Sequence, residues 1–307
     1  MPETVLTPTT NAKFIPIIIA QTALGRLSSY LNLAKTVARD TDVASATFGE
    51  TIKVPKRGAI VANAKTRGEK VTKQAPTATD VSVTLDQHFE VTLLIEDVTK
   101  VLQNQNTLLG YAEDASIALA EKIELALASL YSSIPIGQVV SFNPSSAATM
   151  EDSFLEARQK LVDLKIPVMA PKFGYLSSGI TRKLLQIDRF TKQDSVGANN
   201  SIVEGRLARV AGFDLFESQV VVGTGSPAQY HNLLYARNAF VLATRPLPTD
   251  GNGEGVRQVV VTNPDVNVSL RVTYGYDKDQ LGTQMTLDVL FGVGMMDDRA
   301  VVELRSS

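Results

Sequence analysis

Cysteine is absent from this 307-residue chain, and histidine occurs only twice, at His88 and His231. Without cysteine there can be no disulfide framework, thiolate zinc site, iron–sulfur cluster or cysteine nucleophile. Two histidines also argue against a multi-histidine metal site. The net charge is only -2, from 30 basic and 32 acidic residues. The chain as a whole therefore has no electrostatic reason to bind nucleic acid.

Long apolar segments are missing as well. The longest one near the N-terminus, residues 14–20, is interrupted by Pro16 and preceded by a single basic residue, Lys13. It is much shorter than the roughly 20 apolar residues that cross a bilayer. We therefore expect neither a membrane span nor an export signal. The apolar fraction of 44% is ordinary and predicts a folded core.

Strong catalytic motifs are also absent, because the chain contains no P-loop, no H-E-x-x-H and no G-x-S-x-G pattern. Neither histidine has a convincing carboxylate or nucleophile partner in the sequence. Asp277 with Asp279, and Asp297 with Asp298, could each bind a cation. The first pair lies in a predicted hairpin turn, where the backbone itself favours Asp. We predict no catalytic residues, no cofactor and no metal.

The first 47 residues predict an arm with little core of its own. Residues 1–12 are polar and rich in Pro and Thr, which favours a flexible tail. Apolar residues at three- and four-residue steps from Leu24 to Ala34 then predict a short amphipathic helix.

A long alternating pattern runs from Val81 to Ile95, with most apolar residues at odd positions and polar residues at even ones. It predicts a single strand of about 15 residues, roughly 50 Å long at about 3.3 Å per residue. A strand of that length must protrude from a compact domain of this size.

The segment before this strand predicts a basic flap. Residues 56–80 contain few large aliphatic side chains, and residues 51–55 have a short strand pattern. Between residues 48 and 75, seven basic residues minus two acidic ones give a net charge of about +5. The flap lacks interleaved aromatic residues on which bases could stack. Docking on acidic protein surface of a neighbouring copy is therefore the better interpretation.

Residues 107–131 predict a long amphipathic helix, because apolar residues recur every three or four positions along one stripe. Four acidic residues minus one lysine give the helix a net charge of about -3, so it is a candidate acceptor for the flap. The candidate subunit-interface residues are Lys53, Arg57, Lys65, Arg67, Lys70 and Lys73 on the flap and Glu113, Glu121 and Glu124 on the helix.

The rest of the chain predicts two further units. Residues 133–254 alternate helix and strand patterns, which is typical of an α/β lobe. Residues 266–295 contain two alternating segments around a turn at 277–282, which predict a long hairpin with one apolar face. Helix 107–131 is the candidate cover for that face. The α/β lobe would then be an insertion in an α+β fold.

Five segments carry a resemblance to a known family, at 49–55, 81–88, 95–97, 111–131 and 205–218. They resemble the major capsid proteins of tailed bacteriophages, whose fold is named after phage Hong Kong 97. The order of arm, basic flap, long helix, inserted lobe and closing hairpin is also similar to that family. The resemblance implies an N-terminal arm at 1–47, an extended E-loop at 48–80, a peripheral domain at 81–132 and 255–307 with the spine helix at 107–131, and an axial domain at 133–254.

The same resemblance implies a function. Copies of the chain would assemble through pentamers and hexamers into an icosahedral shell around double-stranded DNA, without sequence-specific binding and without a membrane. Implied partners are further copies, a portal and a separate scaffolding protein, with a decorating protein as another candidate. Assembly in the host cytoplasm would place the protein in the virion. A separate scaffold is expected because the flap begins near residue 48, which leaves no room for a fused scaffolding segment.

Two alternatives stay open on the sequence. The first is another structural protein of a virion, from the tail or a decoration. A tail-tube subunit would be mostly β and would lack the isolated helix at 107–131. The second is an enzyme with an insertion flap, which would need a convergent acid/base or metal set that the sequence does not show.

Overall fold

The computed structural model describes residues 8–39, 51–57, 60–75, 78–97, 107–143, 146–187, 209–226, 228–249 and 256–306. No helix within these segments is both long and apolar enough to cross a membrane. The α-helices are α1 (Pro8–Tyr30), α2 (Leu33–Thr36), α3 (Thr107–Ser129), α4 (Ala147–Asp163) and α5 (Ser178–Leu184).

The strands form two large sheets and a separate two-stranded ribbon. The strands before α4 are β1 (Ala38–Arg39), β2 (Thr51–Arg57), β3 (Ala78–Thr84), β4 (Gln87–Glu96) and β5 (Val139–Phe142). The strands of the α/β region are β6 (Lys172–Ser177), β7 (Arg209–Val210), β8 (Phe213–Ser218), β9 (Gly223–Thr224), β10 (Gln229–Ala236) and β11 (Phe240–Arg245). The last strands are β12 (Val256–Asn263), β13 (Val268–Asp277), β14 (Gly282–Met295) and β15 (Val301–Ser306).

The six-stranded sheet is built around β14. Leu290 pairs with His88 of β4 and with Arg245 of β11, so β4 and β11 lie on opposite edges of this strand. β13 pairs with the first half of β14, and β12 follows β13. The predicted hairpin at 266–295 is therefore confirmed as β13 and β14.

Two helices cover the apolar face of this hairpin. The expected cover, α3, packs on β14 and β4, whereas α1 packs on β12 and β13. Ala112, Leu119 and Ile123 on the predicted apolar stripe of α3 are buried. Beyond Ser129 the helix continues as a 3-10 turn, which agrees closely with the predicted end at residue 131.

The N-terminal segment belongs to the core, so the expectation that residues 1–47 have little core of their own is wrong for the part described. α1 begins at Pro8, inside the predicted flexible tail, and packs along α3. Leu27 is completely buried in the main apolar cluster. Residues 1–7 and 40–47 lie outside the described part of the chain. The partners of α1 are about a hundred or more residues away in the sequence, so local periodicity could not show them.

The seven-stranded sheet forms the predicted α/β lobe. Its order is β5-β15-β10-β6-β8-β7, with β9 paired to β10. α4 packs on β5 and β15, and α5 packs on β6 and β8. These elements enclose a second apolar cluster that includes Phe154 and Phe213. Residues 190–201 are polar and contain Gly197, Asn199 and Asn200, which predicts an exposed loop, and this segment lies outside the described residues.

Strand pairing links the two segments that the sequence assigns to separate domains. β11, inside the segment 133–254 that was assigned to the axial domain, pairs with β14 of the six-stranded sheet. β15, inside the segment 255–307 that was assigned to the peripheral domain, pairs with β10 and β5 of the lobe. The chain thus crosses between the sheets after β10 and again after β14. Such crossings follow from strand pairing, which composition along the chain does not reveal.

The predicted continuous strand from Val81 to Ile95 is two strands. β3 pairs with β2, β4 pairs with β14, and Leu85 and Asp86 separate them. The alternation of buried and exposed side chains continues across the break. The chain changes its partner strand at Thr84, where its backbone passes very close to Gly292 of β14. A Cβ atom added at Gly292 would overlap the Thr84 carbonyl.

Candidate subunit-interface surfaces

The flap consists of the β2–β3 ribbon and the loop 60–75 beyond it. The ribbon is antiparallel, with a register from Thr51 opposite Thr84 to Arg57 opposite Ala78. Every residue of the loop is exposed, and Ile60 is 74% exposed. The predicted two-stranded flap is therefore present, and its own subunit does not cover the loop.

The flap carries a concentrated positive charge. Within the described segments, its exposed cations form no ion pair, so their field faces solvent. The side chain of Arg57 lies outside the described part. These unpaired cations are Lys53, Lys65, Arg67, Lys70 and Lys73.

The flap is joined to the subunit through an apolar cluster at its root. Ile52, Val83 and Leu85 are buried against Val241 and Ala243 of β11. This cluster is separate from the two larger ones and holds the end of the ribbon nearest β4.

A second contact holds the flap farther from its root. Lys56 Nζ lies 3.4 Å from Asp297 Oδ1 and 3.5 Å from Asp298 Oδ1. Asp297 also accepts hydrogen bonds from the backbone amide and the guanidinium of Arg299. The acidic pair considered as a cation site in the sequence thus binds cationic side chains of its own chain.

The three candidate acidic residues of α3 have different surroundings. Glu113 accepts a hydrogen bond from Arg26 Nε on α1 at 2.8 Å. Glu121 is exposed and forms no ion pair within the described residues. Of these three candidates, Glu121 is therefore the one that offers a free carboxylate at the helix surface among the described residues.

Glu124 is not a surface residue, and the expectation that it could meet a neighbouring copy is wrong. Its side chain is only 3% exposed. Its two carboxylate oxygens accept hydrogen bonds from the backbone amides of Leu33 and Ala34, each at 3.1 Å. Burial raises the pKa of Glu124 to about 7, although these hydrogen bonds favour the ionised form. Its role is to hold α2 against α3.

A cleft of about 270 Å³ lies beside these residues. Glu121 and Glu124 of α3, Glu217 of β8 and Tyr30 of α1 are among the residues that line it. Among the residues that the structure describes, no basic side chain lines the cleft. Glu217 was not among the predicted interface residues, because only the fold brings β8 next to α3.

The structure supplies each histidine with a carboxylate from a distant part of the chain. His231 Nδ1 lies 2.6 Å from Glu303 Oε1, and its Nε2 lies 2.7 Å from Thr224 Oγ1. The ring stacks on Tyr131, with centroids 3.8 Å apart. Since His231 is only 4% exposed, this network joins the end of α3 to the lobe rather than facing a substrate.

The other candidate groups have structural partners as well. His88 Nε2 lies 3.0 Å from Asp288 Oδ2. Asp277 Oδ1 accepts hydrogen bonds from the amides of Asp279 and Gln280, as expected for a turn residue. Among the described residues, no group of three or more His, Asp or Glu side chains is placed to hold a metal.

No family model matches the chain, and no curated protein matches it in sequence. Solved structures do match. A chain in the capsid structure of cyanophage P-SCSP1u is 13% identical, with a TM-score of 0.67 over 90% of this chain and 88% of that one. A chain of Mycobacterium phage Che8 is 16% identical, with a TM-score of 0.65 over 89% and 90%. The virus-like particle from Pyrococcus furiosus is 11% identical, with a TM-score of 0.50 over 93% and 97%.

These similarities confirm the fold. The chain has the α+β Hong Kong 97-type capsid fold that the sequence resemblance implied. The low identities mean that individual contacts must be argued from the residues of this chain.

Proposed function

We propose that this chain is a structural capsid protein, not an enzyme, whose copies assemble through pentamers and hexamers into an icosahedral shell around double-stranded DNA. The observation that carries the proposal is the match to the capsid of cyanophage P-SCSP1u over 90% of this chain and 88% of that one. Within the described segments, the enclosed His231 network and the Asp residues that pair within their own chain give an enzyme no accessible set of reacting groups.

The flap supports self-association. In this proposal it is the extended E-loop, which lies on an adjacent subunit. Ile60, Val61 and Val71 are exposed by 74%, 66% and 65%, and a neighbour would bury them. The surrounding lysines and arginine would orient the contact, since charge complementarity selects one arrangement of partners.

The acidic cleft is the proposed acceptor on the neighbour. Glu121 and Glu217 replace the buried Glu124 as the carboxylates that a flap cation would meet. One exposed ion pair contributes only about 0–1 kcal/mol. A closed symmetric shell repeats the same contact in every copy, so weak contacts add up.

Enclosure of DNA fits the charge of the chain. A net charge of -2 gives no tight, salt-dependent grip on phosphates, so the genome would be held without sequence-specific binding. A portal and a separate scaffolding protein are proposed partners, and the virion is the proposed location. Nuclease-protected DNA in purified particles tests this part of the proposal.

Negative-stain electron microscopy with sedimentation velocity tests assembly directly. The protein expressed alone is expected to form closed shells or five- and six-membered rings. A monodisperse, compact monomer at all concentrations, with the flap folded onto its own subunit, would contradict the proposal.

A charge reversal tests the flap. The triple variant K65E/R67E/K70E is expected to stay folded and to lose most assembly, because its flap would repel the cleft. The matched control reverses three exposed cations elsewhere, R182E/R237E/K278E, and is expected to assemble better than the flap variant. Equal assembly of both variants would remove electrostatic docking from the proposal.

A further inference from the structure

The flap is attached to its own subunit at two separate places. The apolar root cluster holds Ile52, and the ion pairs with Asp297 and Asp298 hold Lys56. Ile52 and Lys56 are four residues apart on β2, which corresponds to about 13 Å along a strand at about 3.3 Å per residue. One attachment would let the ribbon turn about its root, whereas two attachments define a direction.

Lys56 differs from the other described cations of the flap. Lys53 lies on the same strand, is exposed and forms no ion pair within the described residues. Lys56 is only partly exposed and meets two carboxylates. It is therefore the one described flap cation directed at its own subunit rather than at solvent.

Asp297, one of the two carboxylates that Lys56 contacts, is itself fixed in place. Asp297 begins the 3-10 turn Asp298–Ala300, and Arg299 holds both of its carboxylate oxygens. Burial alone raises the pKa of Asp297, but the hydrogen bonds from Arg299 and the charge of Lys56 hold it below its usual range. The turn thus presents a positioned negative charge where β14 leads into β15.

We propose that Lys56 is a positioning residue of the flap. By binding Asp297 and Asp298, it sets the direction in which the flap leaves its subunit and so where the flap cations meet a neighbouring copy. Partly exposed ion pairs contribute little to the free energy of unfolding, so the effect is on orientation rather than on folding. The consequence for assembly rests on the proposed function, whereas the direction of the flap is a property of one subunit.

A distance measurement on the full chain tests the direction itself. Because the chain contains no cysteine, T66C in the flap loop and S132C after α3 would carry the only two spin labels. The T66C/S132C chain is the parent for this measurement. Pulsed electron paramagnetic resonance between its two labels is expected to give one narrow distance peak in the parent and in the control K53M. K56M, which keeps the length of the side chain without its charge, is expected to lose that peak to a broad distribution. K56R is expected to restore it.

Several outcomes would overturn the inference. These are an equally narrow peak in K56M, a broad distribution in the parent, equal broadening in K53M, or no restoration in K56R. Matching thermal unfolding midpoints of K53M and K56M would show that the difference is not one of stability.

Electron microscopy then tests the consequence for assembly. K278M, which removes an exposed lysine outside the flap, is expected to form shells of the parental diameter, whereas K56M is expected to give particles of mixed size or open sheets. Uniform parental shells from K56M would overturn the link between flap direction and assembly. If the parent stays a monodisperse, compact monomer at all concentrations with its flap folded onto its own subunit, the proposed function fails, while the distance measurement still decides the role of Lys56.

Discussion

The Glu124 side chain of α3 accepts a hydrogen bond from the backbone amide of Leu33, the first residue of α2, at 3.1 Å. The next amide, of Ala34, donates to the other carboxylate oxygen. Amides at the start of a helix have no partner within the helix. An acidic residue of one helix therefore caps another helix about 90 residues earlier in the chain.

This cap predicts how stability depends on pH. Burial raises the pKa of Glu124 to about 7 in the folded protein, from its ordinary value of 4.5. Between these values the folded state binds more protons than the unfolded state, so stability falls as pH rises through that window and levels off above about pH 7. The contribution is on the order of 3 kcal/mol, at 1.36 kcal/mol per pKa unit. Urea unfolding at several pH values would measure it.

Two variants isolate the contribution of Glu124. E124Q cannot ionise, so we expect its stability to fall less between pH 5 and pH 7. It should also be less stable than the parent at pH 5, because the amide nitrogen of Gln cannot accept from one of the two backbone donors. E113Q removes a partly exposed carboxylate from the same helix and should keep the parental slope. The assignment to Glu124 is wrong if E124Q retains that slope.

A pair of glycine substitutions tests the flap root. A Cβ at Gly292 would overlap the Thr84 carbonyl, so G292A must displace backbone and should cost about 1–3 kcal/mol, as overpacking does. Gly25 is an exposed position within α1 with nothing within 4 Å of an added Cβ. G25A should therefore stabilise by about 0.5–1 kcal/mol, the difference in helix propensity. The thermal unfolding midpoint should fall for G292A and rise for G25A. A higher midpoint for G292A would contradict the packing described.

The two histidines should differ sharply in their effect on stability. H231A removes a ring that is 4% exposed, stacks on Tyr131 and contacts Thr224 and Glu303, so it should cost on the order of 3 kcal/mol even though Glu303 keeps its contact with Arg305. H88A should cost less than about 1 kcal/mol, because the His88 side chain is half exposed and Asp288 keeps its contacts with Arg271. Denaturant unfolding of both variants measures the difference. Similar losses would mean that His231 does not join α3 to the lobe.

Much of the fold follows from sequence periodicity. The stripe of α3 and the alternation of β13 and β14 predicted both elements closely, because each depends on which face of a single element is buried. The sequence does not show the break at Leu85, because buried and exposed side chains alternate in the same phase on both sides of it. Only the partner strand, through Gly292, reveals where the chain leaves one ribbon for another.

The candidate interface could be predicted only in part. The charge of the flap is a local property of its sequence, and its exposure follows from the lack of aliphatic residues. The surroundings of Glu124 and Lys56 depend on α2 and on the turn at Asp297, which lie about 90 and 240 residues away. Periodicity shows which side of a helix or strand is polar, but not whether another part of the chain covers it.

β15 lies between β5 and β10 of the seven-stranded sheet, although every other strand of that sheet precedes it in the chain. During synthesis on a ribosome, β5 therefore has no strand partner within the described sheet until β15 emerges. A nascent chain cannot complete this lobe, and unpaired strand edges are prone to wrong pairing. The lobe is therefore complete only after translation has passed β15, and in the proposed assembly this would keep unfinished chains out of a growing particle.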